Sequence, residues 1–457
     1  MLMAIIKKEI LINLLGFRFT VLLLLCMILM PVSTYVLKDD YRQELSNYSS
    51  RVAAYDEYLK EVKSINNVEP LCDRAPAVLS VLFKRGTANR FLEDSGIGIY
   101  FGTDASDPIP SLLPLCDMGA VLGVMLSLMA ILFGYDALVA EREGGTLKLV
   151  LSNSVSRSQV LLGKWIGGYI SLILPVAIST IASLLIVIVD PMVKFRGGDW
   201  FALGLIFLGA MIYISIFFTL AYLISAISRS FAASALISLC IWLFIVLIVP
   251  NAGIYIAGKL RPMPSIQKYQ QELAEANRKL NEKEGKKLDE VMSRPHSKEE
   301  EARLLKEALS ENGAFYVILR GVVSESKRIR AAFDQEANEQ INLGRRISAV
   351  SPYACFTYLV SALSGTGVEA EQDLSQKGGK FFSEFIEYLL SKVKQNAQTF
   401  ADINKKMDVS DMPKFQYVEQ SVPERLSDGL VYFLVLAIFN VAFFMAAYAT
   451  FLRSDVR

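Results

Sequence analysis

Six apolar segments, each long enough to cross a lipid bilayer as a helix, are the feature that most constrains this sequence. A bilayer core requires about 20 consecutive apolar residues in helical conformation. Of the 457 residues, 53% are hydrophobic and only 20% are charged, a balance typical of membrane proteins. The sequence therefore predicts an all-α polytopic membrane protein with six transmembrane helices. The segments are residues 19–37, 112–135, 165–189, 201–227, 231–256 and 429–452.

Basic residues near the ends of these segments predict the orientation of the chain, because loops rich in lysine and arginine stay in the cytoplasm. The short connection 190–200 has only Lys194 and Arg196. We therefore expect a multi-pass protein of the plasma membrane, the inner membrane of a bacterium, with both termini and the tail 453–457 in the cytoplasm. The basic residues on the cytoplasmic side would be Lys7, Lys8, Arg18, Arg142, Lys148, Arg157, Lys164, Arg229, Arg453 and Arg457.

Two long segments, 38–111 and 257–428, fall outside the cytoplasm in this topology. The second predicts a mostly helical extracytoplasmic domain. Its apolar run at 351–367 is too short to span, and it lies either in the outer membrane interface or in the core beneath that domain. Helices are predicted over 265–291, from Ser297 to about Gly313, over 314–346 and over 378–405.

No motif for catalysis, cofactor binding or a metal site occurs in the sequence. The string G-x-x-x-x-G-K-[ST] that wraps phosphates is absent, and the single histidine, His296, has no candidate co-ligands. The predicted spans hold almost no ionisable residues, which argues against an ion-driven carrier. A net charge of +1 gives no reason to expect a nucleic-acid partner. We expect no enzyme, and any work done by this chain would draw its energy from a partner.

For four of the five cysteines the predicted topology indicates a role. Cys72 and Cys116 both lie in the outer segments, which permits a disulfide between them in an oxidising compartment. Cys26 and Cys240 lie in predicted spans, where we expect them to be small apolar fillers.

The polar segment 136–164 between the second and third spans contains a predicted helix break. Gly144-Gly145 is expected to interrupt the helix that leaves the second span. Ser156 and Gln159 have the spacing of a capping box for the helix that enters the third span. Two interpretations stay open from these residues: an elbow that binds a soluble partner, and an amphipathic loop at the lipid headgroups.

The string E-R-E-G-G-T-L-x-L-x-L-S-x-x-V-S-R-x-x-x-L-x-G-K-W, from Glu141 to Trp165, resembles the coupling segment of ABC-2 type exporter permeases, which have the type V exporter fold. Residues 1–18 also suit that family, because they have the composition of an amphipathic helix lying on the cytoplasmic membrane surface. The long outer insertions and the S-P…T-G string at 351–367 resemble subgroups with a large extracytoplasmic domain, including those linked to gliding motility and nitrous-oxide reductase maturation.

The resemblance implies a permease that forms a dimer with a second permease, identical or homologous, and pairs with two separate ATPase subunits that bind ATP and Mg²⁺. This chain itself would hold no cofactor. The first seven of nine coupling residues would form a helix seated in the ATPase, and the last two would mark its return into the membrane. The nine are Glu141, Arg142, Glu143, Gly144, Gly145, Thr146, Leu147, Arg157 and Lys164.

Two functions follow as hypotheses. In the first, the chain is a permease subunit that couples ATP hydrolysis by its partners to export of a substrate. Alternatively, it is a mechanotransmission subunit that moves a periplasmic or extracellular partner of the domain 257–428 without passing a solute. A membrane scaffold independent of ATP is a third hypothesis, but it leaves the Glu-Arg-Glu cluster without a role.

Overall fold

The computed structural model describes residues 2–61, 70–83, 117–145, 156–262, 266–280, 282, 286, 313–395 and 411–453. Six of its helices are long and apolar enough to cross a membrane. The predicted all-α polytopic fold is confirmed. The helices are α1 (Leu2–Leu14), α2 (Phe17–Glu61), α3 (Met118–Ala120, a π-helical turn Val121–Met125, and Leu126–Gly134), α4 (Val139–Glu143), α5 (Arg157–Ile188), α6 (Gly197–Ile227), α7 (Phe231–Leu243, a π-helical turn Phe244–Ile248, and Val249–Leu260), α8 (Ile266–Leu280), α9 (Ala314–Ser348), α10 (Pro352–Ser364), α11 (Val368–Gln395) and α12 (Val422–Arg453).

The fourth span, α6, lies at the centre of the bundle. It packs against α3, α10 and α12, and its large side chains Tyr213, Phe217, Phe218 and Tyr222 are almost completely buried. A helix that is apolar all round is suited to such a position, because no face of it needs solvent. The segment 136–164 and α10 both pack against this central helix.

The first span belongs to a helix that is much longer than a membrane crossing. The segment predicted at 19–37 is part of the 45-residue α2, which continues to Glu61. This helix packs along α5. Beyond the apolar stretch, Lys38 and Arg42 of α2 form ion pairs with Asp190 at 3.6 and 3.5 Å. These pairs fix α2 to the connection between the third and fourth spans.

The fifth span, α7, shows much of its apolar surface on the outside of this chain. Leu236, Leu243, Phe244 and Leu247 are among its exposed side chains. A hydrocarbon environment covers such side chains in a membrane, and so would a second polypeptide.

Helices α8, α9 and α11 belong to the segment predicted to be extracytoplasmic. α8 packs on α9, and α9 packs on the end of α7. A small core joins α11 to the end of α2 through Leu59, Phe385, Ile386 and Met412. The helices predicted over 314–346 and 378–405 correspond to α9 and to the second half of α11, whereas the helix predicted from Ser297 lies outside the described residues.

Candidate functional site

The segment 136–164, called the elbow below, begins with a turn rather than a continuous helix. α3 ends at Gly134, and α4 starts at Val139 after a turn at 135–138. The backbone N–H groups of Leu138 and Val139 donate to Oγ of Ser225 in α6 at 3.1 and 3.0 Å. A hydroxyl that accepts the free N–H groups at a helix start is ordinary capping chemistry. Here the cap comes from the fourth span, so it also holds α4 against that span.

The short helix α4 ends at the two glycines, as the sequence predicts. Gly145 has a φ of +68°, a conformation that is easy for glycine and strained for most other residues. A Cβ built on Gly145 would meet nothing within 4 Å. Glu143 and Gly144 are also exposed, so the end of α4 is accessible in the described elbow.

A buried lysine connects the elbow to two other elements. Lys164 of α5 has its Nζ 2.9 Å from Oε1 of Glu141 in α4 and 3.7 Å from Oε2 of Glu9 in α1. It also donates to the carbonyl of Ala137 at 3.2 Å. The Lys164 side chain is only 8% exposed. Burial raises the pKa of Glu9, while the Lys164 charge lowers it and the Glu141 charge raises it. We call Glu9, Glu141 and Lys164 the triad.

The other two charges of the Glu-Arg-Glu cluster bind the connection between the fourth and fifth spans. Arg142 donates to the carbonyls of Ala226 and Ser228 at 3.0 and 3.2 Å, at the end of α6. Oε1 of Glu143 accepts the N–H of Phe231 at 3.1 Å, at the start of α7. The free carbonyls at the end of a helix bind a cation favourably, and the free N–H groups at the start of a helix bind a carboxylate favourably.

Two more arginines attach the first and sixth spans to the same end of the bundle. Arg18 forms a bidentate contact with Asp136, at 2.7 and 2.9 Å. Arg157 donates to the carbonyl of Leu452 in α12 at 3.0 Å. With these contacts, residues of the elbow reach α1 and the first, fourth, fifth and sixth spans, and the chain itself joins the elbow to the second and third.

Seven of the nine residues predicted for coupling are in the described part of the chain, whereas Thr146 and Leu147 lie outside it. The structure brings Glu141 and Lys164 into direct contact and places Arg157 at the end of α12. Ser156 caps α5 by accepting the N–H of Gln159 at 3.3 Å, as predicted. Two partners that lie far away along the chain could not be predicted from the sequence: Asp136 for Arg18 and Ser225 for the elbow backbone. No local pattern marks either of them.

A second group of contacts lies where α10 packs among the spans. All residues of α10 except Thr357 are buried, and the helix packs against α6 and α12. For the segment 351–367 the sequence left an interfacial and a core position open. The structure places α10 in the core.

Each of the two π-helical turns gives a backbone carbonyl to a side chain in this region. The carbonyl of Gly123 in α3 accepts the hydroxyl of Tyr213 at 2.6 Å. The carbonyl of Ile245 in α7 accepts the hydroxyl of Ser351, the N-cap residue of α10, at 2.7 Å. Phe356 of α10 stacks on Tyr213 with ring centroids 4.5 Å apart. We call these contacts the joint; π-helical turns often occur at functional sites.

The described residues contain no group of three His, Cys, Asp or Glu side chains suited to a metal ion. Cys72 is exposed, and Cys116, its predicted disulfide partner, lies outside the described residues. Cys26 is buried in α2, whereas Cys240 is exposed on α7 rather than packed inside the chain.

Comparison with known proteins gives a match over nearly the whole chain. The model of the ABC-2 family of transporter proteins matches residues 3–456. The probable ABC transporter permease protein NosY of Stutzerimonas stutzeri is 31% identical over 135 residues, which are 29% of this chain and 49% of that protein. The protein of the same name from Pseudomonas aeruginosa is 35% identical over 128 residues, 27% of this chain and 45% of that protein. The chain spans about half the length of these curated relatives.

Proposed function

This chain belongs to the ABC-2 family of transporter proteins, and we propose that it is the permease subunit of an ABC transporter whose elbow receives force from a separate ATPase. The observation that carries the proposal is the set of contacts at the elbow. Glu141, Arg142 and Glu143 are consecutive, and they contact α5, the end of α6 and the start of α7. A displacement of α4 therefore acts on three spans at once.

The geometry divides the coupling residues into two groups. Glu141 and Arg142 are half-buried and hold the elbow to the bundle. Glu143, Gly144 and Gly145 are exposed at the end of α4. We assign the ATPase contact to this exposed end and to the adjoining 146–155, which include Thr146 and Leu147 and lie outside the described residues. Arg157 and Lys164 transmit the movement to α12 and α5.

The chemistry of ATP hydrolysis belongs to the partner in this proposal. The sequence contains no phosphate-binding string of its own, and we assign ATP and Mg²⁺ to two ATPase subunits that bind a permease dimer. The work would drive export of a substrate across the plasma membrane, with the elbow and both termini in the cytoplasm.

The joint favours a second candidate function, mechanotransmission. α10 directly follows α9 and precedes α11, so the helices of the predicted outer domain are attached to an element buried among the spans. Ser348 at the end of α9 also donates to the carbonyl of Pro250 in α7 at 3.1 Å. A rearrangement of the second and fifth spans would reach the outer domain through these contacts and could move an extracytoplasmic partner.

The experiment for the ATPase contact must alter the exposed end of α4 without disturbing the contacts that hold it. Gly145→Asn meets this need, because Asn tolerates positive φ better than other residues with a side chain and Cβ has free space. Changing Glu141 would instead disturb the triad. The matched control is Gly197→Asn at the opposite end of the bundle, where a Cβ also meets nothing within 4 Å.

This chain is co-expressed with candidate ABC ATPase subunits, purified, and assayed for bound ATPase and for ATP hydrolysis. We expect Gly145→Asn to reduce both and Gly197→Asn to leave both unchanged. Equal complex formation and hydrolysis in the two variants would contradict the assignment of the ATPase contact.

A further inference from the structure

The helix α1 has one face on the protein and another face that the described residues leave exposed. Gly163 and Gly167 of α5 allow α1 to come close, because a Cβ on either glycine would collide with Ile5 or Glu9 at less than 3 Å. α1 therefore lies against the start of the third span, at the same level as Lys164 of the triad. In the predicted topology, the start of the third span lies at the cytoplasmic boundary of the bilayer.

The outward face of α1, with Leu15 in the turn that follows it, combines lysines with large apolar side chains. Met3, Leu11 and Leu15 are 65%, 59% and 81% exposed. Lys7 and Lys8 are exposed beside them. Water alone is a poor environment for this surface, because three large apolar side chains close together would remain exposed to it. A lipid surface accommodates both kinds of residue: the apolar side chains enter the acyl region and the lysines reach the headgroups.

The lysines of this face carry charge that the protein leaves available. Neither Lys7 nor Lys8 forms an ion pair with any residue in the part of the chain that the structure describes. Lys8 lowers the pKa of Glu9 less than Lys164 does. Two free cations beside an apolar surface complement a headgroup with net negative charge rather than a zwitterionic one.

We propose that α1 is a binding surface for anionic phospholipid, held by Lys7 and Lys8, and that the bound lipid acts on the elbow through Glu9. The geometry carries this second step because Lys7 and Lys8 immediately precede Glu9, which turns toward α5 and shares Lys164 with Glu141. The lipid fixes α1, and α1 in turn fixes one carboxylate of the triad. The second step rests on the proposed coupling function, whereas the lipid surface does not.

Lipid binding is measured on the purified full-length chain in detergent, titrated with dioleoyl phosphatidylglycerol or dioleoyl phosphatidylcholine, with bound lipids counted by native mass spectrometry. Each lysine near an anionic surface contributes about fivefold to binding, so Lys7→Gln with Lys8→Gln should weaken phosphatidylglycerol binding about 25-fold. The charge-conserving pair Lys7→Arg and Lys8→Arg should bind like the wild type. Binding of phosphatidylcholine should not change in any variant.

A matched control removes two exposed lysines from α8, Lys268→Gln with Lys279→Gln, which leaves the net charge equal to that of the test variant. We expect it to bind phosphatidylglycerol like the wild type. Unchanged binding in the Lys7/Lys8 variant would overturn the lipid surface, and so would an equal loss in the α8 control, because the effect would then follow net charge alone.

The second step is tested with the ATPase complex in vesicles of phosphatidylcholine with or without about one third phosphatidylglycerol, a fraction chosen to approach a strongly anionic leaflet. Phosphatidylglycerol should raise ATP hydrolysis in the wild type and have less effect on the Glu9→Gln variant. An equal response of both would overturn the link through Glu9 while leaving the lipid count as independent support for the surface. If no ATPase co-purifies with the wild type, the proposed function fails. The number of bound lipids still tests whether α1 binds anionic phospholipid.

Discussion

Replacing Lys164 by methionine tests whether the triad holds the elbow in place. The apolar stem of the side chain is retained, while the ammonium group that contacts Glu141 at 2.9 Å and Glu9 at 3.7 Å is lost. The two carboxylates are only 22% and 16% exposed. They would therefore keep their burial and lose the cation between them.

The expected cost follows from this burial. Removing one partner of a buried ion pair destabilises a protein by about 3–5 kcal/mol. The carboxylates keep some access to solvent, so we expect the lower end, about 3 kcal/mol of unfolding free energy. Adding Glu9→Gln removes one of the two uncompensated charges, and the double variant should regain about half of the loss, because neutralising the second group of a broken pair relieves its desolvation penalty.

Reversible unfolding in mixed micelles, driven by increasing dodecyl sulfate and followed by tryptophan fluorescence, measures these differences. Trp165 lies next to the substituted residue. Lys194→Met is the control, because Lys194 is exposed on the short connection before α6 and such substitutions usually change stability by about 0.5 kcal/mol or less. The reasoning is refuted if Lys164→Met costs no more than the control, or if Glu9→Gln adds to its cost.

Two further predictions concern the joint and the predicted outer domain. Ser351→Ala removes the buried hydroxyl that caps α10 and donates to the carbonyl of Ile245. In the same unfolding assay it should lower the free energy of unfolding by about 1–3 kcal/mol. The control Ser324→Ala, on the exposed side of α9, should change it little. Burial raises the pKa of Glu371 above its ordinary 4.5, opposed by Arg74, so its contribution to stability is greatest below pH 4.5 and is lost as the pH rises through the raised value. Relative to Glu371→Gln, the wild type should therefore become less stable between pH 4.5 and 7, and a pH-independent difference between the two would contradict this.

The spans could be predicted from the sequence because each is decided by local composition. An apolar run of sufficient length has to be helical in a bilayer, whatever surrounds it. The break at Gly144-Gly145 and the cap at Ser156 are also local, since they depend on the conformational freedom of glycine and on a hydroxyl three residues from its donor. These features are present in the structure where the sequence placed them.

The internal contacts of the elbow could not be predicted, because they join residues that are distant along the chain. The turn before α4 depends on Ser225, 86 and 87 residues away from the N–H groups that it accepts. One of the two interpretations of the sequence offered Glu141 and Arg142 to a soluble partner, whereas the structure shows both with partners inside the chain. Likewise, an apolar run such as 351–367 suits a membrane surface as well as a protein core, and only the neighbouring helices decide between them.

The unbroken course of α2 makes the first span a lever as well as an anchor. At about 1.5 Å per residue its 45 residues extend about 68 Å, whereas the hydrocarbon layer is about 30 Å thick. A tilt of about 10° at the membrane would shift a point about 35 Å further along the helix by about 6 Å, as follows from its rigid-rod geometry. Leu59 near that end packs against Phe385 and Ile386 of α11, so a small rotation within the bilayer becomes a large translation at a distant surface.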